Sequence, residues 1–460
     1  MLDEQLRRVD RQILGDVYTS EEGFVTLEEL CDRFGSRFPG SPEEREAADF
    51  LLGKMIQYGL SDVHLEPVEY LAWERGTAEL ECLSPQAKTM ECIALPHTGT
   101  CDLTGEFMSI GAGTPSEFAA YADRIKDRIV MCSARSPAYV RRELHRREKI
   151  GRAISLGAKA VIFMRDTGGF LEETGSTVTG RECPIPAISV SKEIGEELRR
   201  LQKHGPVVLR LRLDNRFMRE VGHNVVGDIP GNTLRDEIIL AGAHYDGHDI
   251  SVGAMDNGSG TVMILEAARA LAQSGAGLPR TLRFVCFFAE EIGLIGATGY
   301  VRLHPELHNK IRFMLNVDGV RGNQNGIALQ GWPELIPFFS RIAADMKQPM
   351  TVDVAMARGS DVFPFVLSGI PSGGLSDMGE VRTERGFGHT RADTLDKVSN
   401  RTIQHNAAHI ARLMLRLAVL DQIPAQRKSA EEIQALFAEA NLLEAIRMSG
   451  RGVFEDTESL

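Results

Sequence analysis

The 460-residue chain contains none of the cysteine or apolar patterns that mark disulfide-rich, secreted or membrane proteins. Its seven cysteines are odd in number, scattered and without a C-x-x-C pair, which favours free thiols in a reducing compartment. No stretch approaches the ~20 apolar residues of a membrane span. The N-terminal residues alternate in charge and lack the apolar core of a secretory signal. These absences predict a cytoplasmic protein with no membrane partner.

The chain also lacks the positive charge that attracts nucleic acids and anionic membranes. Its formal net charge is -12, whereas both of those partners favour a basic surface. One segment, Val140 to Gly157, is nevertheless strongly basic and includes Arg141 and Lys149. Because Glu143 and Glu148 are interspersed, the segment is typical of a solvated helix face rather than a nucleic-acid patch. The sequence therefore predicts no nucleic-acid partner.

Length and composition indicate a folded protein of more than one domain. Hydrophobic residues make up 43% and charged residues 25%, which is ordinary for a globular protein, and the length exceeds that of one ordinary domain. Helical patterns come first, short strand-like runs separated by Gly, Pro and Ser follow, and a strand–helix rhythm comes next. We therefore divide the chain into 1–71, 72–215, 216–424 and 425–460. The last part contains one predicted amphipathic helix, Ser429 to Met448, and an acidic tail.

The third part predicts an α/β fold. Its strand candidates include 237–241, 281–288 and 312–317, and helical patterns lie between them. Such alternation is typical of a mostly parallel central sheet with helices on both faces. The second part, where only short strands are recognisable, predicts a separate, mainly β domain.

Acidic and histidine side chains follow the predicted strands of the α/β part at four places. The blocks that carry them are AHYDGHDISVGAMDNGSG, FFAEEIG, NVDG and GHTRADTLD. Because α/β folds build their sites at the carboxyl ends of the strands, these side chains are expected to converge. They are His244, Asp246, Asp256, Glu290, Glu291, Asp318 and His389.

This set of side chains is suited to metal ions. Charged groups are rarely buried unless they are paired or bind a metal, and several acids at one sheet edge repel each other without a cation. Imidazole combined with carboxylate suits Zn²⁺, with Co²⁺ or Mn²⁺ as substitutes. The set is too large for one tetrahedral ion and fits two divalent ions that share a carboxylate.

Some acids of this set are expected to do more than bind metal. Glu290 and Glu291 are neighbours just past a strand, so their side chains point apart, and one can bind metal while the other faces a substrate water. A carboxylate near an acidified water is a natural general base. Asp246, two residues after His244, suits a partner that orients the imidazole.

Together these blocks resemble the di-zinc exopeptidases of the bacterial leucyl aminopeptidase and glutamate carboxypeptidase type. The matching stretches are GAHYDGHDISVGAMDNGSG, FFAEEIGLIGATGYV, NVDGV, GSDVFPF with GIP, and GHTRADTLDKV. RFGSRFPGSPEEREAADFLLGKMIQYGL is similar to the opening of that family. DRIVMC, KIGRAISLGAKAVIF and PIPAISVS resemble the protease-associated insert of some members, so 72–215 is expected to be this insert. The resemblance covers most of the chain, except about 35 residues at its end.

The resemblance assigns the metal ligands. It implies that Asp256 bridges the two ions. Glu291 and His389 would complete the ligands of one ion, and His244 and Asp318 would complete those of the other.

The resemblance also assigns the proton transfer. Glu290 would be the general base that takes a proton from water and passes it to the leaving amine, and Asp246 would support the neighbouring imidazole. A cis peptide bond is expected between Asp256 and Asn257. Some relatives place an oxyanion-stabilising Tyr shortly before the Ser-Asp of the GSD block, whereas this chain has Met-Ala-Arg there. Arg358 is therefore the candidate substitute for the oxyanion partner.

Other histidines and acids have less specific interpretations. His405 and His409 have the i,i+4 spacing of a zincin pair, but Asn stands where that motif needs Glu, which favours structural roles. His248 and Asp361 are interpreted as loop or supporting residues near the site. Asp393 is interpreted as part of an acidic first helix turn.

We predict a metal-dependent exopeptidase that acts on peptide or aminoacyl substrates with water activated by two divalent ions. An aminopeptidase is favoured because the core blocks resemble the aminopeptidase version. Alternatives with the same chemistry are a carboxypeptidase or dipeptidase and an N-acyl amino-acid amide hydrolase. A non-catalytic, receptor-like binding protein is the alternative of another class, and it predicts broken metal ligands. All five ligands and Glu290 are present.

Overall fold

The computed structural model describes residues 2–140, 142–319, 322–376 and 386–450, whose strands form one continuous fourteen-stranded sheet. The strands are β1 (Ser61–Ser84), β2 (Lys88–Met90), β3 (Ile93–Ala94), β4 (Cys101–Ser109), β5 (Ile129–Ser133), β6 (Ala160–Met164), β7 (Ala187–Val190), β8 (Val208–Ile229), β9 (Leu234–His244), β10 (Arg280–Phe287), β11 (Ile311–Asn316), β12 (Gly326–Leu329), β13 (Thr351–Val354) and β14 (Ser372–Ser376).

Helices flank this sheet. They are α1 (Leu2–Thr19), α2 (Glu22–Phe34), α3 (Pro42–Gln57), α4 (Pro115–Ala120), α5 (Ala122–Ile125), α6 (Arg146–Ser155), α7 (Lys192–His204), α8 (Ser259–Gln273), α9 (Ile295–Leu303), α10 (Ile336–Met346), α11 (Val362–Leu367), α12 (Asn400–Val419), α13 (Ala430–Glu439) and α14 (Leu443–Met448).

The sheet is mostly parallel with some antiparallel pairs, which confirms the predicted α/β class. Its strand order is β13-β12-β14-β11-β9-β10-β8-β4-β5-β6-β7-β3, and β1 pairs with β8 and with β2. Strand β9 lies between β10 and β11 and is parallel to both. Its apolar run, including Ile239 and Leu240, is completely buried, as expected for a strand covered on both faces.

Two long antiparallel strands join the part expected to be the insert to the rest of the chain. Strands β1 and β8 pair along nearly their whole length and run through residues 71 and 215, where the sequence suggested boundaries. Strand β4 extends the sheet from β8 to the parallel strands β5, β6 and β7. The two parts therefore share one sheet, and the division of the chain into four parts stays a prediction.

The solvated helix face expected from the basic segment is wrong. Helix α6 occupies the middle of that segment, and its Arg147, Glu148 and Lys149 are buried. Lys149 Nζ donates hydrogen bonds to the carbonyl oxygens of Ser133 and Arg135 at 2.8 and 2.9 Å. Burial of these charges is tolerated because ion pairs and carbonyl oxygens replace water. Arg141 lies outside the described residues.

The single C-terminal helix expected from Ser429 to Met448 is also wrong, because the segment forms two helices. Helix α13 ends at Glu439, and Asn441 adopts a left-handed φ of 54° before α14 starts. Arg152 of α6 pairs with Glu444 of α14 at 3.0 Å, so the shorter helix packs against the insert. The acidic tail lies outside the described residues.

The structure tests two of the observations behind the expected cellular location, namely the state of the cysteines and the lack of a membrane-spanning helix. All seven cysteines are free thiols, which confirms that prediction. Among the described residues, no helix combines the length and the apolar character that a membrane crossing requires. The cytoplasmic location stays a prediction.

Candidate metal centre

The predicted site residues converge at the carboxyl edge of three neighbouring strands. His244 is the last residue of β9, Glu290 and Glu291 follow β10, and Asp318 follows β11. Phe287 of β10 is in register with His244, so the ends of these two strands are level. Parallel strands place their carboxyl ends at one edge, which is where α/β folds bind ligands.

The first ligand group consists of His244, Asp256 and Asp318, whose ligand atoms all lie within 4.8 Å of one another. His244 Nε2 lies 3.5 Å from Asp256 Oδ1 and 3.4 Å from Asp318 Oδ1. Burial alone would lower the pKa of His244, but Asp246 and these two carboxylates raise it well above its ordinary value. The carboxylates therefore favour a positive charge at this position, which a metal ion can supply.

The second ligand group consists of His248, Glu291 and His389, which are all buried and whose ligand atoms also lie within 4.8 Å of one another. Glu291 Oε2 lies 3.0 Å from His389 Nε2 and 2.8 Å from His248 Nε2. The sequence interpretation placed His248 among supporting residues, whereas the structure places it beside two expected ligands.

Asp256 lies between the two groups. Its Oδ1 faces His244 Nε2 at 3.5 Å, and its Oδ2 faces His389 Nε2 at 3.4 Å. One carboxylate oxygen is thus directed to each group. Asp393 supports this position, because its carboxylate accepts hydrogen bonds from the backbone N–H groups of Met255 and Asp256 at 2.8 and 3.1 Å. The sequence interpretation of Asp393 as part of a helix turn missed this contact.

The loop that carries Asp256 is held by an arginine that the sequence did not single out. Arg37 is fully buried and donates hydrogen bonds to the carbonyl oxygens of Tyr245, Val252 and Gly253 at 2.6, 2.8 and 3.0 Å. Its only sequence signal is its position in the RFGSRFPG block. The peptide bond between Asp256 and Asn257 is cis, which confirms that expectation.

Asp246 connects the first group to the adjacent glutamates. Its two carboxylate oxygens accept hydrogen bonds from the backbone N–H groups of Glu290 and Glu291, both at 3.1 Å. Its Oδ1 also lies 3.4 Å from His244 Nδ1, and its carbonyl oxygen lies 3.1 Å from the same nitrogen. Since these acceptors favour a proton on Nδ1, Nε2 is left to face the ligand group.

Asp318 is oriented by the GSD block. Ser360 Oγ donates a hydrogen bond to Asp318 Oδ2 at 2.5 Å and accepts one from Asn316 Nδ2 at 2.6 Å. Asp361, the next residue, is completely buried, and burial raises the pKa of its carboxyl well above the ordinary value. The sequence interpretation assigned no separate role to Ser360, although this residue lies in one of the quoted blocks.

His389 is oriented by the insert. Its Nδ1 lies 3.0 Å from the carbonyl oxygen of Thr174, and the backbone N–H of Thr174 donates to the carbonyl oxygen of His389 at 2.9 Å. A carbonyl can only accept, so Nδ1 carries the proton and Nε2 is the ring atom that faces Asp256 and Glu291. His389 adopts a left-handed φ of 63°, which is uncommon for a residue other than Gly and is found at functional sites.

The adjacent glutamates have opposite electrostatic environments. Burial raises the pKa of Glu290 well above its ordinary value, and nearby carboxylates raise it further, while His244 opposes the effect. Burial alone would also raise the pKa of Glu291, but His248 and His389 hold it below the ordinary range. Neighbouring acids whose pKa values are driven apart are typical of sites in which one is a ligand and the other moves protons.

Three other residues considered from the sequence belong to neither ligand group: Arg358, His405 and His409. Arg358 donates to the carbonyl oxygen of Glu143 at 2.9 Å and lies 3.7 Å from Glu148 of α6, contacts that turn its guanidinium towards the insert. Its role as an oxyanion partner stays a prediction that these contacts do not favour. Neither metal-type group of the described residues contains His405 or His409.

The donor set fits divalent metal ions. In the described part of the chain, both ring nitrogens of His248 and both carboxylate oxygens of Glu291 are buried without a hydrogen bond of normal geometry. Buried polar atoms without partners are rare in proteins. A shared cation explains why these atoms face each other, and the mixture of imidazole and carboxylate suits zinc.

Comparisons with known proteins agree with this chemistry. Residues 224–414 match peptidase family M28, and residues 90–198 match the PA domain. Aminopeptidase YwaD of Bacillus subtilis is 28% identical over 404 residues, which cover 84% of this chain and 82% of that protein. Carboxypeptidase Q of Xenopus laevis is 27% identical over 381 residues, which cover 80% and 79%.

A solved structure shares the fold. The structure of BSAP, a zinc aminopeptidase from Bacillus subtilis, matches with a TM-score of 0.67 at 23% identity and covers 89% of this chain and 98% of that chain. The five expected metal ligands and Glu290 all lie within the peptidase family M28 match, and Thr174, which orients His389, lies within the PA match. The protein is therefore a metallopeptidase with a peptidase family M28 domain and an inserted PA domain.

Proposed function

We propose that the protein is an aminopeptidase that uses two zinc ions bridged by Asp256. The observation that carries the proposal is the position of this carboxylate, whose two oxygens face His244 and His389 separately. The first ion would be held by His244, Asp256 and Asp318, and the second by Asp256, Glu291 and His389. Two ions that share one carboxylate are typical of aminopeptidases and other hydrolases.

Glu290 would move the protons in this reaction. Two divalent ions, when bound, polarise the substrate carbonyl and lower the pKa of the attacking water. Burial keeps the pKa of Glu290 high, which suits a carboxylate that must accept a proton from water and then release it to the leaving amine. Asp246 fixes the backbone on which Glu290 is carried.

The preference for an amino terminus is supported by similarity. The core blocks resemble the aminopeptidase version of the family, and Aminopeptidase YwaD is among the related proteins. Carboxypeptidase Q is also among the related proteins, so the end of the peptide that is cleaved needs its own test.

A carboxypeptidase or dipeptidase is the second candidate, and Arg147 of the insert favours it. This side chain is 4% exposed and donates to Ser176 Oγ from Nε and Nη2 at 3.0 and 2.7 Å. Burial lowers its pKa to about 10, and the charges of Glu290 and Glu291 act on it in the opposite direction. A guanidinium that is influenced by the charge of the proposed base is a candidate to bind a substrate carboxylate.

Terminal blocking of the substrate separates the two candidates. The zinc-loaded protein is incubated with one peptide in three forms, free, N-acetylated and C-amidated, and the products are identified by mass spectrometry. We expect single residues to be released from the amino end of the free and amidated forms, while the acetylated form resists. Cleavage of the acetylated form with resistance of the amidated form would favour the carboxypeptidase. An N-acetylated amino acid is added as a fourth substrate, and hydrolysis of this substrate alone would indicate the amide hydrolase.

A further inference from the structure

We propose that His248 is an additional ligand of the ion held by Glu291 and His389. The inference rests on the proposed two-metal function and extends it by one residue of the loop that follows β9. The two ions would then have different numbers of protein ligands.

The position of the imidazole is the main argument. His248 is 1% exposed, and its Nε2 lies 2.8 Å from Glu291 Oε2. Its ring centre lies 4.4 Å from that of His389, with the two ring planes at 75°. Ligand atoms of all three residues lie within 4.8 Å of one another. Two imidazoles and a carboxylate directed to one point are an arrangement that zinc prefers.

The surroundings of the imidazole agree with a role as a ligand. Within the described residues, neither ring nitrogen of His248 makes a hydrogen bond of normal geometry, although Nε2 is close to Glu291 Oε2. A missing hydrogen bond is not sufficient by itself, because His409 also lacks one in the described part of the chain and belongs to neither ligand group. The ring of His248 differs in that it closely approaches Glu291 and His389, and a cation shared by the three side chains explains this approach.

The loop around His248 fixes the ring in this position. The backbone N–H of Gly247 donates to the carbonyl oxygen of Ser36 at 2.9 Å. On the other side, both oxygens of Asp249 accept hydrogen bonds from the guanidinium of Arg75, at 2.6 and 2.7 Å. Anchors on both neighbours leave the ring little freedom to turn away, as expected for a ligand that is held in place before the metal binds.

An extra imidazole has a direct consequence for occupancy. The group with His244 offers three protein ligands including the bridging carboxylate, whereas the group with His248 would offer four. A neutral nitrogen ligand adds affinity without adding charge repulsion. The ion at His248 is therefore expected to bind first during reconstitution and to leave last during chelation.

The variant His248→Gln tests the assignment in the full-length protein. His409→Gln is the matched control, because His409 is equally buried, also lacks a hydrogen bond in the described residues and belongs to neither ligand group. Zinc affinities are measured by competition with a chromogenic chelator. We expect one ion of the His248 variant to bind more than about 100-fold more weakly, since supporting residues cost only about 10- to 100-fold. The control and the other ion stay unchanged. Weakening of about 100-fold or less would overturn the ligand assignment.

Zinc X-ray absorption of the unaltered protein gives a test that does not depend on how the variant folds. Three imidazoles distributed over two zinc ions are expected, and only two imidazoles would overturn the role of His248. Failure to bind two zinc ions at all would instead contradict the proposed function. The two failures are therefore distinguishable in one experiment.

Discussion

Replacement of Glu290 by Gln is expected to abolish peptide hydrolysis while both metal ions remain bound. The amide has nearly the same size as the carboxylate but cannot accept the proton of the attacking water. Loss of a general base costs about 100- to 10,000-fold in rate, and we expect this loss in kcat with little change in KM. Metal content should be preserved because Glu290 is not in either ligand group. Steady-state kinetics and elemental analysis of the same sample measure both quantities.

Glu66→Gln is the matched control for this variant. Glu66 and Glu290 are both 6% exposed, and Glu66 accepts a hydrogen bond from Asn224 at 3.1 Å outside the ligand groups. The control should keep its activity. Retention of more than a tenth of the wild-type kcat in the Glu290 variant would remove Glu290 as the base, and loss of one zinc ion would identify it as a ligand.

The variant Asp256→Asn is expected to bind both metal ions more weakly than the wild type, because each carboxylate oxygen faces a different ligand group. Replacement of a ligand that serves one ion only, as in His389→Ala, is expected to weaken the binding of that ion alone. Competition with a chelator should therefore show two weakened zinc ions for Asp256→Asn and one for His389→Ala. Activity at limiting zinc should fall in both variants.

A different distribution of the metal would contradict the bridging role. If the Asp256→Asn variant bound one ion as tightly as the wild type does, Asp256 would be a ligand of only the other ion. Circular dichroism and thermal unfolding of the metal-free proteins show whether each variant folds. Asp393 accepts hydrogen bonds from the backbone N–H groups of Met255 and Asp256, so the loop retains an anchor when the ligand is changed.

Much of the site was predictable from the sequence because its signals are local. The apolar runs of β9, β10 and β11 are followed directly by His244, Glu290 and Asp318, and strand–helix alternation predicts parallel strands that end at one edge. These blocks, taken together and in this order, resemble those of a known enzyme family. Burial, register and the cis bond after Asp256 agree with those expectations.

The residues that support the site were less predictable because their partners are distant in sequence. Arg37 binds carbonyl oxygens of the loop at 245–253. Thr174, which lies in the part of the chain that matches the PA domain, binds the backbone and ring of His389. Contacts to backbone atoms leave no residue pattern at the accepting positions. His248 was missed because its neighbours, Glu291 and His389, lie far from it in the sequence.

The basic segment shows how local charge patterns mislead. Alternating acids and bases on a helix are typical of a solvated face, but Glu148 of α6 is paired with Arg142 at 2.7 Å and with Arg152 at 3.0 Å inside the protein. Arg358 adds a third cation from the peptidase part at 3.7 Å. Partners inside 72–215, such as Ser133 for Lys149, and partners outside it, such as Glu444 for Arg152, replace water around these charges.

Zinc titration of the metal-free protein tests the two-ion centre most directly. Bound zinc per chain and the rate of hydrolysis of an unblocked peptide are measured at each addition. We predict that the metal-free chain is inactive and that activity saturates when about two zinc ions are bound. Saturation of activity at one ion, or hydrolysis by the metal-free chain at the rate of the loaded enzyme, would contradict a centre of two ions joined by Asp256.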